Sequence, residues 1–293
     1  MLKKINILSL LLLLSISMEV NGKTLKDITG RTVIFPDNPQ RVVSLAPSIT
    51  EIIYALNQER RICGATIFSD YPKEALKHPR VGSYVKPNLE RILALKPDCV
   101  IAIKDGNPKV TVKRLIDLGI PVFVTSPKDL TSVMEAVNKI GKLLNAENNA
   151  KKITTEMKRR IERVESVVKK AGVKPKVFFQ IGIAPIVSIG NDSFIHELIT
   201  KSGGINISAK FKGYPRFTKE DVIAFSPEVF IITSMARNEV FENVKRKWSM
   251  WKSMPAVKNN KMYIIDSNVL DRPTPRMVEG LEKLAEIIHP ELF

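Results

Sequence analysis

The sequence has few of the residues that most often carry catalysis or hold a metal. Among 293 residues there are three histidines, His78, His196 and His289, and two cysteines, Cys63 and Cys99. None of the histidines has another His or a Cys at metal-ligand spacing, which excludes an imidazole or thiolate cage of the familiar local kind. No G-x-G-x-x-G and no P-loop pattern occurs, so neither phosphate cradle is present. "IVSIGND" does not make a G-x-S-x-G elbow, and no Ser/His/Asp set can be assembled. No catalytic residue and no metal ligand is nominated. Two cysteines cannot build a disulfide framework. Both lie in strand-like runs ("RRICGAT", "DCVIAI"), and sequence alone leaves two buried thiols and one bridge equally open.

Long apolar runs are also missing, with one exception. "MLKKINILSLLLLLSISMEVNG" carries Lys3 and Lys4, then an apolar stretch from Ile5 to Met18. About 14 apolar residues fall short of the roughly 20 that span a bilayer. The pattern is that of a cleaved secretory signal over residues 1–22, with Val20 and Gly22 as the small residues before the cut. No Cys stands near that cut, so there is no lipobox, and the chain is expected to be exported to the periplasm without a lipid. Base exceeds acid, with 46 Lys and Arg against 30 Asp and Glu, a formal charge of +16. The basic residues are spread along helices such as "KKITTEMKRRIERVESVVKK" rather than interleaved with aromatics. That is the pattern of solvated helix faces, and with export it argues against nucleic acid as a partner.

What is present is alternation. Short β-rich apolar runs ("RVVSL", "ICGAT", "DCVIAI", "IPVFVT") alternate with helical segments up to "LTSVMEAVNKIGKLLN", the pattern of βα units with a parallel sheet. Ser48 and Glu51 have capping-box spacing at the start of "PSITEIIYAL". From about Ala146 to Lys170 the strand signal stops. Ile153, Met157, Ile161, Val164 and Val168 form one apolar stripe on a long helix, closed by Gly172 and Pro175. The alternation then resumes with "KVFFQIG", "SFIHELITKSGG", "VFIIT", a helix reaching to about Lys252, "KMYIID" and "RMVEGLEKLAEII". The fold class is α/β: two similar parallel-sheet lobes joined by one long rigid α-helix. The expected divisions are 23–145, 146–172 and 173–293.

The lobes share a motif. "NLERILALKPDCVIAI" and "TKEDVIAFSPEVFIIT" match at an offset of 130 residues, Glu90 on Glu220, Ala94 on Ala224, Pro97 on Pro227 and Asp98 on Glu228. In open parallel sheets ligands sit beyond the carboxyl ends of the strands. The loops expected there carry Phe68, Tyr71, Tyr84 and Tyr214 with Asp70, Lys104, Asp105, Asp271 and Arg272, a set that suits a bulky, partly apolar ligand.

The segments "DITGRTVIFPDNPQRVVSLAPSITEIIYAL", "SDYP", "VGSYVKPNLERILALKPDCVIA" and "FSPEVFIIT" resemble the periplasmic substrate-binding proteins of ABC importers for cobalamin and ferric siderophores. The likeness covers nearly all of Thr24 to Ile288. It is strongest to the cobalamin binders through "SDYP", "NLERILALKPD" and "TPR". The resemblance implies a class III periplasmic binding protein, not an enzyme, that clamps a small-molecule metal chelate between its lobes and carries no cofactor of its own. Carried over residue by residue, it places Pro47, Phe68, Tyr84, Ile103, Ile181, Tyr214 and Arg272 around cobalamin or a related corrinoid. It also implies that Glu90 and Glu220 dock onto an ABC permease dimer in the inner membrane. This chain departs from the cobalamin binders where Tyr84, Ile103 and Tyr214 stand in place of Trp, which leaves room for haem or a ferric siderophore. A two-lobed α/β enzyme is the remote alternative.

Overall fold

The structure is a computed structural model and describes residues 22–233 and 240–293. Residues 1–21, on which the expected signal peptide falls, lie outside the described residues.

The first lobe opens with an antiparallel hairpin, Gly22–Lys26 (β1) against Thr32–Pro36 (β2), turned by Gly30 at φ +87°, where a side chain would be strained. Val42–Ser44 (β3), Ile62–Ala65 (β4), Cys99–Ile103 (β5) and Val122–Thr125 (β6) form a parallel sheet in the order β4-β3-β5-β6. Pro47–Ala55 (α1), Leu89–Ala94 (α2), Lys109–Asp117 (α3) and Leu130–Leu143 (α4) cover it. Successive strand residues point to opposite faces. Val42, Cys99, Ile101 and Phe123 pack with α1 and α4. Val43, Val100, Ala102, Val122 and Val124 pack with Ile92 of α2 and Leu115 of α3. Burial on both faces is why these strands read as unbroken apolar runs.

Glu147–Val168 (α5) is the 22-residue helix that the apolar stripe predicts, about 33 Å long at 1.5 Å per residue. Met157, Ile161 and Val164 are buried, and Ile153 and Val168 are partly so. Ile153 touches the cores of both lobes. Helices α4 and α5 approach so closely at Gly141 that a Cβ there would lie 2.6 Å from the Cβ of Ala150. At one end Asn149 Nδ2 donates to Leu56 O at 2.9 Å, closing α1.

In the second lobe Lys176–Gln180 (β7), Ile186–Val187 (β8), Ile205–Asn206 (β9), Arg216–Phe217 (β10), Val229–Ile232 (β11) and Met262–Ile264 (β12) are the strands. The parallel sheet runs β12-β11-β7-β9, and β8 pairs with β10 antiparallel. Its helices are Phe194–Lys201 (α6), Lys219–Phe225 (α7), Val240–Trp248 (α8), Pro255–Lys258 (α9), Ser267–Leu270 (α10) and Met277–Ile288 (α11). Val177, Phe179, Val229 and Ile231 pack with α5, α6 and α11. Phe178, Phe230 and Ile232 pack with Val222, Val244 and Trp248. Leu130 and Val133 of α4 belong to this second core. Glu197 of α6 accepts from Leu130 N at 2.8 Å, and Arg160 of α5 grips Glu282 of α11 with two hydrogen bonds. The joint between the lobes is therefore the α4–α5 pair.

The two sheets have one topology: β4, β3, β5 and β6 correspond to β9, β7, β11 and β12. The matched motif is the α2–β5 unit in one lobe and α7–β11 in the other.

Two local expectations are corrected, and the question left open for the cysteines is answered. The Ser48–Glu51 capping box does not form: Pro47 takes the first helical position, which makes Ala46 the cap residue and puts Ser48 inside the turn, and both Ser48 and Glu51 are buried. Helix α8 stops at Trp248, short of Lys252, so Trp251 lies outside it. Trp248 is buried with its indole N–H donated to Gln180 Oε1 at 2.9 Å. Cys63 on β4 and Cys99 on β5 are free thiols with β3 between them, a separation near 9.5 Å at normal strand spacing and beyond disulfide reach.

Candidate ligand cleft

The residues that the sequence places at the cleft are divided between the two lobes. On the first lobe, Pro47 opens α1 directly after β3 and Ile103 ends β5, both half-buried. Phe68, 47% exposed, follows β4. Its ring meets that of Tyr84 edge to face, with centroids 5.9 Å apart. The loop after β5 passes beneath them: a Cβ on Gly106 would sit 2.6 Å from Ile103 Cδ1 and 3.3 Å from Tyr84 Cδ2.

Asn107 holds these loops in place, and sequence reasoning missed it. Its Oδ1 accepts from Ile103 N at 2.7 Å, while its Nδ2 donates to Leu45 O at 2.9 Å and to Tyr84 O at 2.8 Å. One buried amide thus ties together the ends of β3 and β5 and the loop carrying Tyr84. The available signal is an Asn before a Pro in the "KDGNP" loop, which also carries Lys104 and Asp105. Asp105 instead pairs locally with Ser126 and Lys128.

On the second lobe, Ile181 follows β7 and donates its N–H to Val187 O at 2.9 Å. Tyr214 is 67% exposed between Gly213, at φ +64°, and Pro215. Pro215 O accepts from Ser188 N at 2.9 Å, which seats Tyr214 beside the β8–β10 pair.

Arg272 lies in the second lobe and reaches across to the first. Its Nη1 meets Glu51 Oε1 and its Nη2 meets Asp70 Oδ1, each at 2.9 Å. Arg276 approaches Glu51 Oε2 at 3.6 Å and stacks its guanidinium 3.7 Å from the centre of the Tyr71 ring. Burial pushes the Glu51 carboxyl up from its ordinary value, against the pull of Arg272 and Arg276. Burial also opposes charge on Arg272, yet Glu51 and Asp70 hold its pKa above the ordinary value. Neighbouring Asp271 is driven by burial to about 7, with the Thr233 hydroxyl pulling the other way. Neither Asp271 Oδ1 nor Thr233 Oγ1 makes a hydrogen bond of ordinary length.

Glu90 and Glu220 are exposed in the first turns of α2 and α7. Both helix starts are already capped, by Asn88 Oδ1 accepting from Arg91 N and by Thr218 Oγ1 accepting from Asp221 N. Among the described residues no group of His, Cys, Asp or Glu is arranged to hold a metal ion, and no helix is long and apolar enough to cross a membrane.

Two α/β lobes of equal topology, joined through the α4–α5 pair and carrying exposed aromatics in their loops, define a two-lobed binding protein. The chain belongs to the periplasmic binding protein family, whose model matches residues 42–269. It is a substrate-binding component of ABC import and not an enzyme. It is 30% identical over 281 residues to an uncharacterised ABC transporter substrate-binding lipoprotein of Bacillus subtilis, covering 94% of this chain and 88% of the relative. It is 30% identical over 251 residues to the vitamin B12-binding protein of Vibrio parahaemolyticus, covering 84% and 88%. The crystal structure of the periplasmic vitamin B12 binding protein of Vibrio cholerae matches with a TM-score of 0.75 at 27% identity, over 86% of this chain and 97% of that one. A periplasmic haem-binding protein of a Roseiflexus species shares the fold, with a TM-score of 0.76 at 22% identity over 87% and 99%.

Proposed function

We propose that this protein captures cobalamin or a related corrinoid in the cleft and delivers it to a twofold ABC permease. The observation that carries the reading is the set of exposed apolar side chains in the first lobe's loops after β4 and before α2, Ile67, Phe68, Tyr71 and Val85, with the Phe68 ring set edge to face on Tyr84. Isolated apolar side chains on a surface need no explanation, but a contiguous group at the mouth of a cleft marks a ligand surface. The similarity to vitamin B12-binding proteins over most of both chains supports a corrinoid as that ligand. Pro47, Phe68, Tyr84 and Ile103 form one contact wall, Ile181 and Tyr214 the other, and Arg272 the floor. Glu90 and Glu220 are the docking residues, one per lobe, so that a pseudo-twofold protein meets a twofold permease. The working division is residues 23–145, 146–172 and 173–293. The protein is exported on a cleaved signal that has no lipobox, whereas the Bacillus relative is named a lipoprotein.

Haem or a ferric siderophore is the second reading, favoured by Tyr84, Ile103 and Tyr214 where cobalamin binders have Trp. Isothermal titration of the mature protein with cyanocobalamin, cobinamide, haemin and a ferric hydroxamate separates the two. A 1:1 corrinoid complex that survives desalting is the expected result. Corrinoid binding too weak to measure beside tight haem or hydroxamate binding would refute it.

A further inference from the structure

We infer that Glu51 is a positioning residue. With Arg272, Arg276 and Asp70 it forms a latch across the cleft floor that, together with α5, sets the separation of the two walls. The latch deepens the function proposed above and rests on it for its purpose, though not for its test. Glu51 comes from α1 of the first lobe, and Asp70 and Tyr71 from the loop after β4. Arg272 and Arg276 lie just before α11 in the second lobe, Arg272 being 221 residues from Glu51. Arg272 joins one lobe to the other through Glu51 and Asp70 at 2.9 Å and through Phe68 O at 3.4 Å from its Nη2, and Arg276 reaches across to Glu51 at 3.6 Å while also pairing within its own lobe with Glu279 at 3.7 Å. The Glu51 side chain is only 3% exposed and those of the two arginines 16% and 18%, so water cannot readily replace these partners.

The geometry makes the latch sensitive to lobe angle. Rotation of one lobe about α5 that opens the floor by a few ångströms parts the guanidinium of Arg272 from both carboxylates at once. A buried carboxylate left without its arginines is strongly unfavourable, whereas the intact, charge-balanced cluster is tolerated. The open arrangement is therefore penalised in the ligand-free protein, and the walls stay near their binding separation. Glu51 and Asp70 match the charges of Arg272 and Arg276, and Glu279, 3.7 Å from Arg276 on α11, adds a third carboxylate, so the floor offers the ligand no unmatched positive charge. A ligand neutral at that end can settle without breaking the latch, while a polyanion must compete with Asp70 for Arg272.

The test is the distance between the lobes without ligand. Spin labels at Lys109→Cys and Lys219→Cys, both exposed and one per lobe, in a Cys63→Ser background give that distance by pulsed electron resonance. The expected results are a narrow distribution in the parent protein and a shift of a few ångströms to longer, broader distances in Glu51→Gln. Glu51→Asp should fall between the two, and Asp70→Asn should move the same way by less. Cooperative thermal unfolding of each variant shows that it is folded. If Glu51→Gln does not fold, Asp70→Asn and Arg276→Gln carry the test. Folded variants that keep the parent distribution would overturn the latch. A protein whose distribution responds as described but which binds no corrinoid supports the latch and refutes the ligand assignment alone.

Discussion

Asn107 offers the sharpest check on how the first wall is built. Its side chain makes three hydrogen bonds at 2.7–2.9 Å to three separate stretches of backbone, and the residue is 5% exposed. Replacing it by Ala removes all three and leaves Ile103 N–H, Leu45 O and Tyr84 O to find other partners. At about 1 kcal/mol net for each bond, Asn107→Ala should lose about 3 kcal/mol of stability, less whatever an entering water restores. Asn107→Asp distinguishes hydrogen bonding from shape. The carboxylate can still accept from Ile103 N–H, but its second oxygen faces two carbonyl oxygens where an amide had donated. Asp should therefore be no better than Ala despite its near-identical size. Urea unfolding gives both free energies, and ligand titration of the folded variants reads the wall. Because Tyr84 and Ile103 lose their common anchor, affinity should fall in both. An Asn107→Ala protein within about 0.5 kcal/mol of the parent, the range of an ordinary surface substitution, or an Asn107→Asp protein that matches the parent, would refute the reasoning.

Other outcomes follow from the same structure. Asp271 takes up its proton near pH 7 in the folded state and near 3.8 when unfolded, so between those values the native state holds the extra proton and stability falls as pH rises, by about 4 kcal/mol for this group alone. Asp271→Asn should flatten that part of a pH–stability curve measured by thermal melts, and an unchanged slope would show the carboxyl is not so buried. Gly141→Val must force α4 away from Ala150, where a Cβ already falls at 2.6 Å. A loss of about 1–3 kcal/mol is expected in denaturant unfolding, and neutrality would mean the helices can part freely. Glu90→Lys and Glu220→Lys should leave melting temperature and ligand affinity unchanged while lowering uptake into permease-containing vesicles, the double variant most. Undiminished uptake by the double variant would exclude docking through these residues.

The architecture was legible because its signals are periodic. Fully buried strands are short apolar runs, and α5 declares itself by a stripe at steps of three and four residues. The exposed aromatics of the cleft could be named because few large apolar side chains fall in polar loops. What stayed hidden depends on partners distant in sequence. Glu51 reads locally as a helix-start residue, and only the fold brings Arg272 within 2.9 Å of it. Arg272 is expected around the ligand, and the two carboxylates of the other lobe that hold it are partners no local pattern announces. Asn107 carries no pattern at all: its value lies in three backbone groups that converge only after β3 and β5 pair. The thiols became separable once the strand order put β3 between them.

The duplicated motif shows how structural and functional causes of one pattern can be told apart. Lys96 and Ser226, each just before the repeated proline, both take a left-handed conformation, at φ 46° and 50°, that ends the helix. Ile92 and Val222 are both fully buried beneath their sheets. Asp98 accepts from the backbone N–H groups of Gln40 and Arg41 at 2.7 and 3.0 Å, leading into β3. Glu228 accepts from Lys176 N at 2.8 Å, at the start of the equivalent β7. The repeated acid thus anchors the neighbouring strand in both lobes, and fold alone accounts for its recurrence. No such account covers Glu90 and Glu220. Their helices are capped by other residues, and among the described residues neither carboxylate makes a hydrogen bond or ion pair. Both stand in solvent at equivalent points of two equivalent lobes. A favourable interaction with the positive end of a short helix is worth a few tenths of a kcal/mol at an exposed site, and Asp would supply it equally well. The proposed docking on a permease of twofold symmetry and complementary charge gives an exposed acid at two equivalent points the cause that the fold does not supply.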